Sequence, residues 1–280
     1  MDASTTHGDV QAALWNGPAG DAWVQAQPLL DALFAPFSER LVELARAMSA
    51  CSVIDIGCGT GATTLALAEA LGSGAYSLGV DVSAPMIAAA RARAQASASA
   101  ARFVCADAAR HAFAPGAADL IVSRFGVMFF ERPVDAFAHL RAALRSGGAL
   151  HAIAWRGSDD NAFMTTAERA AAPLLPGLPA RRPGAPGQFA FADRAFAYEV
   201  LARSGWQDID VRPLDVDCAL PASELERYFT LLGPVGVALR QVDADTRARV
   251  IERLHDAFRP YQAGDVVRFT AACWMMSARA

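Results

Sequence analysis

The chain has 280 residues, 54% of them hydrophobic, a formal net charge of −4, and 25 basic residues that are all arginine. This acidic balance argues against a nucleic-acid surface, which carries excess basic charge. The absence of lysine excludes a Walker A phosphate loop, a Schiff-base lysine and a Tyr-x-x-x-Lys dehydrogenase dyad. The longest uncharged stretch, 56–68, has 13 residues. A membrane-spanning helix needs about 20, so we expect no membrane association.

The cysteines and the beginning of the chain bear on its location. Five cysteines are an odd number, which favours free thiols in a reducing compartment over a disulfide framework. The first residues lack the basic and apolar regions of a secretory signal, so we expect a cytoplasmic protein. No group of histidine, cysteine and acidic residues has zinc-site spacing, and we expect no metal.

Residues 1–48 predict an N-terminal helical segment. Apolar residues recur at helical spacing from about residue 9 to residue 48, and the tripeptide Asn16-Gly17-Pro18 interrupts them. We expect a short first helix followed by longer helical structure.

A glycine-rich turn follows the first predicted strand, 53–56. Gly57, Gly59 and Gly61 turn the chain into a helix; glycine there allows positive φ and close approach of a ligand to the backbone. The helix start favours an anionic ligand group. About 20 residues later, Asp81 ends a second strand, where a βαβ unit places a carboxylate that reaches ribose hydroxyls. Together these features predict a small-molecule site.

Further strands and helices alternate along the chain, which predicts an α/β fold. We expect a Rossmann-like, doubly wound sheet of seven mostly parallel strands with an antiparallel last strand, formed by residues 49–220 and 263–280. The later elements are strands at 102–106, 118–125 and 149–155, with helices at 85–96 and 134–145.

The last two strands, predicted at 206–211 and 266–276, enclose a helical insertion. Residues 221–262 carry two apolar stripes at helical spacing. An insertion at this point would fold over the carboxyl ends of the sheet, where ligands bind. We therefore expect 221–262 to be a substrate cap, and we interpret the proline- and glycine-rich stretch 173–187 as a loop or lid.

The run Asp55-x-Gly57-x-Gly59-x-Gly61 resembles motif I of the class I S-adenosylmethionine-dependent methyltransferases. In a dinucleotide motif the third glycine would come one residue later. The resemblance covers about residues 45–156. The stretches 15–20 and 124–130 are also similar to a bacterial subgroup of small-molecule methyltransferases. The resemblance implies S-adenosylmethionine as cofactor, with donor contacts from Asp55, Gly57, Cys58, Gly59, Gly61, Asp81, Val82, Met86, Asp107, Ala108 and Ser123.

Within the family, the carboxylate after the second strand holds the ribose and the acid after the third faces the adenine. The carboxylate in motif I mostly organises the turn. Substrate contacts are expected at the end of the fourth and fifth strands, near the N-terminus and in the cap. The candidates are Trp15, Arg124, Phe125, Met128, Trp155, Tyr228 and Phe229, although the aromatic and methionine side chains among them could equally be ordinary core.

The predicted function is methyl transfer to a small, largely apolar acceptor by in-line displacement without a metal. Such a reaction needs placement of the reacting atoms more than a reactive side chain, so we assign no catalytic residue. One alternative is a donor-binding protein of the same fold that does not methylate, because fold does not fix function. Another is a nicotinamide oxidoreductase, since Asp81 could also hold an NAD ribose. The sequence leaves open the acceptor, the methylated atom (O, N, C or S), any general base, and whether the protein is a monomer or a homodimer.

Overall fold

The computed structural model describes residues 7–182 and 184–280, and eight strands within these ranges form one sheet in the order β3-β2-β1-β4-β5-β8-β6, with β7 paired to β8. The first five strands are mutually parallel, and β8 is antiparallel to both β5 and β6. The predicted seven-stranded sheet is therefore confirmed, and the two-residue β7 adds to it. The strands are β1 (Ser52–Ile56), β2 (Tyr76–Asp81), β3 (Arg102–Cys105), β4 (Ala118–Arg124), β5 (Leu144–Trp155), β6 (Gln207–Pro221), β7 (Gln262–Ala263) and β8 (Val266–Arg279).

The helices precede, connect and follow these strands. The strand order reverses between β1 and β4, and right-handed crossovers on either side of a reversal place helices on both faces of a sheet. The helices are α1 (His7–Trp15), α2 (Pro18–Gln25), α3 (Gln27–Ala47), α4 (Ala62–Leu71), α5 (Ala84–Ala96), α6 (Pro133–Ala143), α7 (Ala162–Ala171), α8 (Arg194–Arg203), α9 (Leu225–Leu231), α10 (Gly233–Ala238) and α11 (Ala244–Phe258).

Helices α1, α2 and α3 precede the first strand in the chain, and the predicted break lies at Gly17, between α1 and α2. Residues 1–6 of the predicted N-terminal segment lie outside the described residues. The long helix α3 packs along α4 and contacts β4, β5 and β6. Its apolar face includes Leu33, Phe37 and Leu41, which are almost completely buried. Helix α3 therefore covers one part of the sheet and supports the start of α4.

The two strands of the C-terminal hairpin are longer than predicted. Strand β6 continues to Pro221 and pairs with β8 over nearly its whole length. The strand includes Pro213, which is tolerated because β6 is the edge strand and its outer hydrogen bonds are not needed. Beyond the proline, Leu214, Val216, Cys218 and Leu220 are less exposed than the residues between them, so the strand keeps an alternating pattern as far as its end.

Helices α9, α10 and α11 lie between β6 and β8 in the chain. Phe229 of α9 stacks on Phe258 of α11, with ring centroids 5.9 Å apart, and α11 packs against α7. Among the described residues, no helix is long and apolar enough to cross a membrane.

Candidate functional site

A cavity of about 640 Å³ opens at the carboxyl ends of the parallel strands, beside the point where the strand order reverses. This volume is in the range of small-molecule sites. At one end, which we call the loop end, the wall consists of residues 57–60, 80–82 and 106–110. At the other, the aromatic end, it consists of Phe163, Met164, Tyr228, Phe229 and Phe258.

The glycine turn of the loop end is held by its own backbone. The amides of Gly57 and Cys58 both donate to the Val80 carbonyl, at 2.8 and 3.2 Å, and the Gly61 amide donates to Cys58 at 2.9 Å. Gly57 has a φ of +67°, and a Cβ added to it would lie 2.5 Å from the Cα of Gly126. The loop after β1 thus crosses the loop after β4 at two glycines, and a side chain at the crossing would force the backbones apart.

Asp81 at the end of β2 fixes this turn to the second strand. Its Oδ2 accepts the amide of Gly59 at 2.8 Å, and its Oδ1 accepts the amide of Ser83 at 2.9 Å. Burial raises the pKa of this carboxyl, and the two amides oppose the shift. A carboxylate oxygen accepts more than one hydrogen bond, so Asp81 can also accept hydroxyl groups from a ligand in the cavity it lines.

The wall next to Asp81 is apolar on one side and acidic on the other. Val82 and Met86 face the cavity, as do Asp107 and Ala108. The Oδ1 of Asp107 accepts the amide of Ala109 at 2.9 Å, which orients the carboxylate.

The N-terminal helix closes the cavity above Val82. Ser83 donates its hydroxyl to the Trp15 carbonyl at 2.6 Å. Asn16 donates to the Val82 carbonyl at 3.0 Å and accepts the Ala84 amide at 2.8 Å. These three bonds hold the end of α1 over the loop end, and the Trp15 ring lies in the wall.

Asp55 lies behind the wall. It is 1% exposed, its Oδ2 accepts the Thr64 hydroxyl at 2.7 Å, and its Oδ1 has no hydrogen-bond partner among the described residues. Burial raises the pKa of Asp55 to about 7. Its role in the structure is to tie β1 to the first turn of α4.

The end of β4 brings aromatic rings together in the middle of the cavity. Phe125 has a φ of +67°, a conformation that is strained for a bulky residue. Its ring stacks on Trp155 at 4.6 Å and an interplanar angle of 13°, and it meets Phe34 edge-on at 5.4 Å. Phe125 and Trp155 both line the cavity.

Arg124 places a cation on the same wall. Its Nη1 donates to the Ser38 hydroxyl at 3.1 Å and to the Phe34 carbonyl at 3.4 Å. Burial lowers the pKa of Arg124, and the carboxylates of Asp31 and Asp55 oppose this shift. Within the described part of the chain, no carboxylate forms an ion pair with this guanidinium.

Packed rings dominate the aromatic end. Phe163 stacks on Phe269, with ring centroids 3.8 Å apart, and its ring lies 5.5 Å from that of Tyr228. The Tyr228 hydroxyl donates to the sulfur of Met164 at 3.4 Å. Burial raises the pKa of Tyr228, so its hydroxyl stays neutral over the physiological range.

A family model described as a methyltransferase domain matches residues 53–148. This stretch is a class I methyltransferase domain. The methyl donor of its family is S-adenosylmethionine. No curated protein sequence matches the chain at a significant level.

Solved structures share the fold of the methyltransferase domain and the segments around it. Magnesium protoporphyrin IX methyltransferase (ChlM) from Synechocystis PCC 6803, with bound SAH, has a TM-score of 0.59 and 15% identity over 98% of this chain and 100% of that chain. The YcgJ protein from Bacillus subtilis has a TM-score of 0.55 and 15% identity, covering 86% of this chain and 97% of its own. The cyclase SpnF has a TM-score of 0.53 and 17% identity, covering 93% and 94%.

The structure brings most of the sequence-predicted residues together around this cavity. The predicted donor residues in the wall are Gly57, Cys58, Gly59, Asp81, Val82, Met86, Asp107 and Ala108. All the substrate candidates line it as well: Trp15, Arg124, Phe125, Met128, Trp155, Tyr228 and Phe229.

Three predicted donor residues lie outside the wall, and for these the structure indicates a supporting role. Asp55 is tied to Thr64, as described. Gly61 faces the ring of Phe103. Ser123 is completely buried; its hydroxyl donates to the Ile56 carbonyl at 2.8 Å and accepts the amides at positions 126 and 127. Ser123 therefore joins the ends of β1 and β4, and its hydroxyl has no hydrogen-bonding capacity left for a ligand.

The sequence reasoning missed several wall residues. Gly126 carried a visible signal, because it follows a strand end directly, as Gly57 does. Asp31 and Phe34 of α3 and Phe163 of α7 carried none, because their side chains reach the cavity only through the packing of distant segments. Among the described residues, no cluster of histidine, cysteine or acidic side chains could hold a metal ion.

Proposed function

We propose that the protein transfers a methyl group from S-adenosylmethionine to a small, largely apolar acceptor within this cavity. The observation that carries the proposal is the Asp81 carboxylate. It is fixed by the amides of Gly59 and Ser83 at the carboxyl end of β2 and lies in the wall beside the strand-order reversal. This is where doubly wound folds bind nucleosides.

The donor is assigned to the loop end. Asp81 would accept the two ribose hydroxyls, and Val82 with Met86 would pack on the adenine. Asp107 would face the adenine amino group, with Ala108 beside it. Asp55, whose Oδ1 has no hydrogen-bond partner among the described residues, and the close packing of Gly57 on Gly126 support the loop that would make these contacts.

The acceptor is assigned to the aromatic end. S-adenosylmethionine supplies an electrophilic methyl group on a sulfonium, and an in-line displacement depends on alignment and on a dry site. Phe125 and Trp155 would form the floor under the reacting atoms, while Phe163 and Tyr228 would pack on the acceptor. These side chains orient and exclude water, and none of them needs to carry a proton.

We assign residues 221–262 to a helical substrate cap, with 1–48 as an N-terminal helical segment and the rest as the donor-binding domain. Tyr228 and Phe229 of α9 in the cavity wall support the assignment. The stretch 173–187, in which residue 183 lies outside the described residues, is tied to the wall on both sides. Its Gly187 amide donates to the Met128 carbonyl at 3.0 Å, and Arg181 pairs with Glu168 at 2.5 Å.

Calorimetric titration tests the donor assignment. S-adenosylmethionine and S-adenosylhomocysteine are expected to bind, and NAD and NADH are not. Binding of neither sulfur nucleoside at millimolar concentration would refute the proposal. NADH binding alone would favour the oxidoreductase alternative.

A donor-binding protein that does not methylate is the second candidate. The cyclase SpnF shares this fold, and no histidine lies in the described cavity wall. Release of S-adenosylhomocysteine across a panel of phenols, amines, thiols and carboxylic acids decides between the two. Tight donor binding without any turnover on a panel that includes aromatic acceptors would favour the second candidate.

We infer that the acceptor is a small molecule rather than a nucleic acid or a membrane, and that the protein works in the cytoplasm as a monomer or homodimer. The net charge of −4 and the five free cysteines support this. Cell fractionation and size-exclusion chromatography with light scattering test it; recovery in the membrane fraction, or a larger assembly, would contradict it.

A further inference from the structure

Three polar side chains interrupt the apolar wall beside the aromatic end of the cavity. They are Glu168, Arg181 and Gln188, which all line the cavity, and we call them the polar strip. Glu168 follows Met164 by one turn of α7, so the two residues share a face of that helix. Burial is the main cause of the raised pKa of Tyr228, and the nearby charge of Glu168 adds to it. The polar strip therefore adjoins the side chains that we assign to the acceptor.

Arg181 and Glu168 form an ion pair with two hydrogen bonds. The Nε of Arg181 donates to one carboxylate oxygen at 2.8 Å, and its Nη2 donates to the other at 2.5 Å. The same Nη2 donates to the Oε1 of Gln188 at 3.3 Å. The guanidinium also lies over the ring of Phe189, with its Cζ 4.7 Å from the ring centroid. These contacts orient the guanidinium, and Glu168 balances its charge.

Two nitrogen atoms of the polar strip make no hydrogen bond to any residue that the structure describes. They are the Nη1 of Arg181 and the Nε2 of Gln188. Each of them carries two N–H donors and no acceptor. The unused hydrogen-bonding capacity of these two side chains is therefore for an acceptor atom of a ligand.

A molecule that fills the aromatic end displaces water from these N–H groups. An N–H group that is covered without an acceptor costs free energy, so a ligand that offers no acceptor there binds less tightly. A carbonyl oxygen has two lone pairs and can accept from both nitrogens. A carboxylate suits the strip less well, because Glu168 already balances the charge of Arg181 and repels a second anion.

We propose that the polar strip receives a neutral carbonyl oxygen of the methyl acceptor, and that Arg181 and Gln188 select for it. The acceptor is then a compound with an apolar body and a ketone, amide or ester group. The assignment rests on the proposed function and deepens it by naming the chemical class of the acceptor. Because Arg181 belongs to the stretch 173–187, that stretch takes part in the selection of the acceptor.

Two compounds of nearly equal shape test the carbonyl by calorimetry on the protein saturated with S-adenosylhomocysteine. The ketone α-tetralone carries a carbonyl where the hydrocarbon tetralin carries a methylene group. Gln188→Glu keeps an oxygen for Arg181 but removes the Nε2 donors, so it should weaken the binding of α-tetralone about tenfold and leave that of tetralin unchanged. Gln188→Leu should have the same effect. Arg181→Lys keeps a cation opposite Glu168 and should weaken the binding of the ketone to a smaller extent.

Infrared spectroscopy gives a second readout, because a hydrogen bond lowers the stretching frequency of a carbonyl. The carbonyl band of α-tetralone bound to the parent should lie at lower wavenumber than that of the ketone in hexane. In Gln188→Leu it should move back toward the hexane position. Arg182→Met is the matched control, because Arg182 is the next residue of the chain but does not line the cavity. It should leave both affinities and the carbonyl band unchanged.

Three results would overturn the carbonyl assignment and leave donor binding intact. The first is an equal change of both affinities, or of neither, in the Gln188 variants. The second is tighter binding of the carboxylate analogue of tetralin than of α-tetralone, since the strip would then select an anion. The third is binding of neither α-tetralone nor tetralin. A parent protein that does not bind S-adenosylhomocysteine would instead refute the proposed function, and this assignment with it.

Discussion

The two ends of the cavity are built from different materials. At the loop end, backbone amides and carbonyls fix the wall: Val80 accepts two amides and Asp81 accepts two more. At the aromatic end, packed side chains such as Phe163 and Phe229 form the wall. A wall formed by backbone amides and carbonyls presents the same polar groups whatever the side chains are. Such a wall suits a binding site for a donor that does not vary. A wall formed by aromatic side chains changes its shape with each substitution. Such a wall suits a binding site for an acceptor that differs between proteins of one fold.

The largest expected effect is at the aromatic end. Phe229 is 1% exposed and stacks on Phe258, so Phe229→Ala should lower the free energy of unfolding by about 3–5 kcal/mol. Affinity for S-adenosylhomocysteine should be unchanged, because the loop end is held by other elements. Tyr228→Ala is the companion variant, expected to reduce acceptor turnover with a much smaller loss of stability. Denaturant unfolding and calorimetry measure both; loss of donor affinity in either variant would contradict the separation of the two ends.

The second prediction concerns the pH dependence of stability that arises from Asp55, which lies behind the wall of the loop end. Burial raises the pKa of Asp55 to about 7 in the folded protein, while the unfolded carboxyl titrates near 4. The folded state therefore holds the proton more tightly, and this stabilisation is complete below pH 4 and is lost as the pH rises to 7. The slope should reach about 1.4 kcal/mol per pH unit.

Asp55→Asn isolates this contribution from those of other carboxyls. The difference in unfolding free energy between the parent and the variant should shift steadily in favour of the variant from pH 4 to 7 and then level off. A difference that does not vary with pH would show that Asp55 titrates normally despite its burial.

The third-largest effect is expected from removing the hydrogen bonds that we assign to the ribose of the donor. Asp81→Ala should weaken S-adenosylhomocysteine binding at least tenfold, since each hydrogen bond to a charged group contributes about 1.5–3 kcal/mol. Because the amides of Gly59 and Ser83 lose their acceptors as well, some stability should be lost too. Asp81→Asn keeps one acceptor oxygen and should fall between parent and alanine variant. Unchanged donor affinity in Asp81→Ala would show that the ribose binds elsewhere.

The smallest effect is expected from Tyr228→Phe. The lost bond joins a neutral hydroxyl to the Met164 thioether, a weak acceptor, so stability should change by less than about 1 kcal/mol. Because the pKa of Tyr228 is raised by burial, turnover should follow the same pH profile in variant and parent. The disappearance of one limb of that profile would identify Tyr228 as a proton carrier.

The same contrast explains how much the sequence predicted. The loop end follows from local rules, because a glycine at a turn and an acid at a strand end have few conformations open to them. Gly57 and Asp81 both lie in the cavity wall, and their contacts with a donor stay a prediction. Asp55 and Ser123 obey those rules too, yet their side chains point into the protein. Orientation at a strand end depends on the neighbouring strand, which spacing does not reveal.

At the aromatic end, the sequence predicted helices but not which rings would meet. Phe163 comes from α7 and Tyr228 from the insertion between β6 and β8, and they meet because α11 packs on α7. Apolar periodicity identifies a buried face, but it does not tell core from cavity wall. Phe229 belongs both to the core and to the cavity wall.

The close packing of Gly57 against Gly126 joins the two ends of the cavity. Gly57 belongs to the turn assigned to the donor, and Gly126 follows Phe125, whose ring lies on Trp155. Their backbones pack so closely that a Cβ added to either residue would lie within 2.7 Å of the Cα of the other. A first substrate that orders one backbone therefore reduces the entropy cost of ordering the other for the second substrate. Thermodynamic linkage makes this benefit mutual, so each substrate should bind more tightly in the presence of its partner.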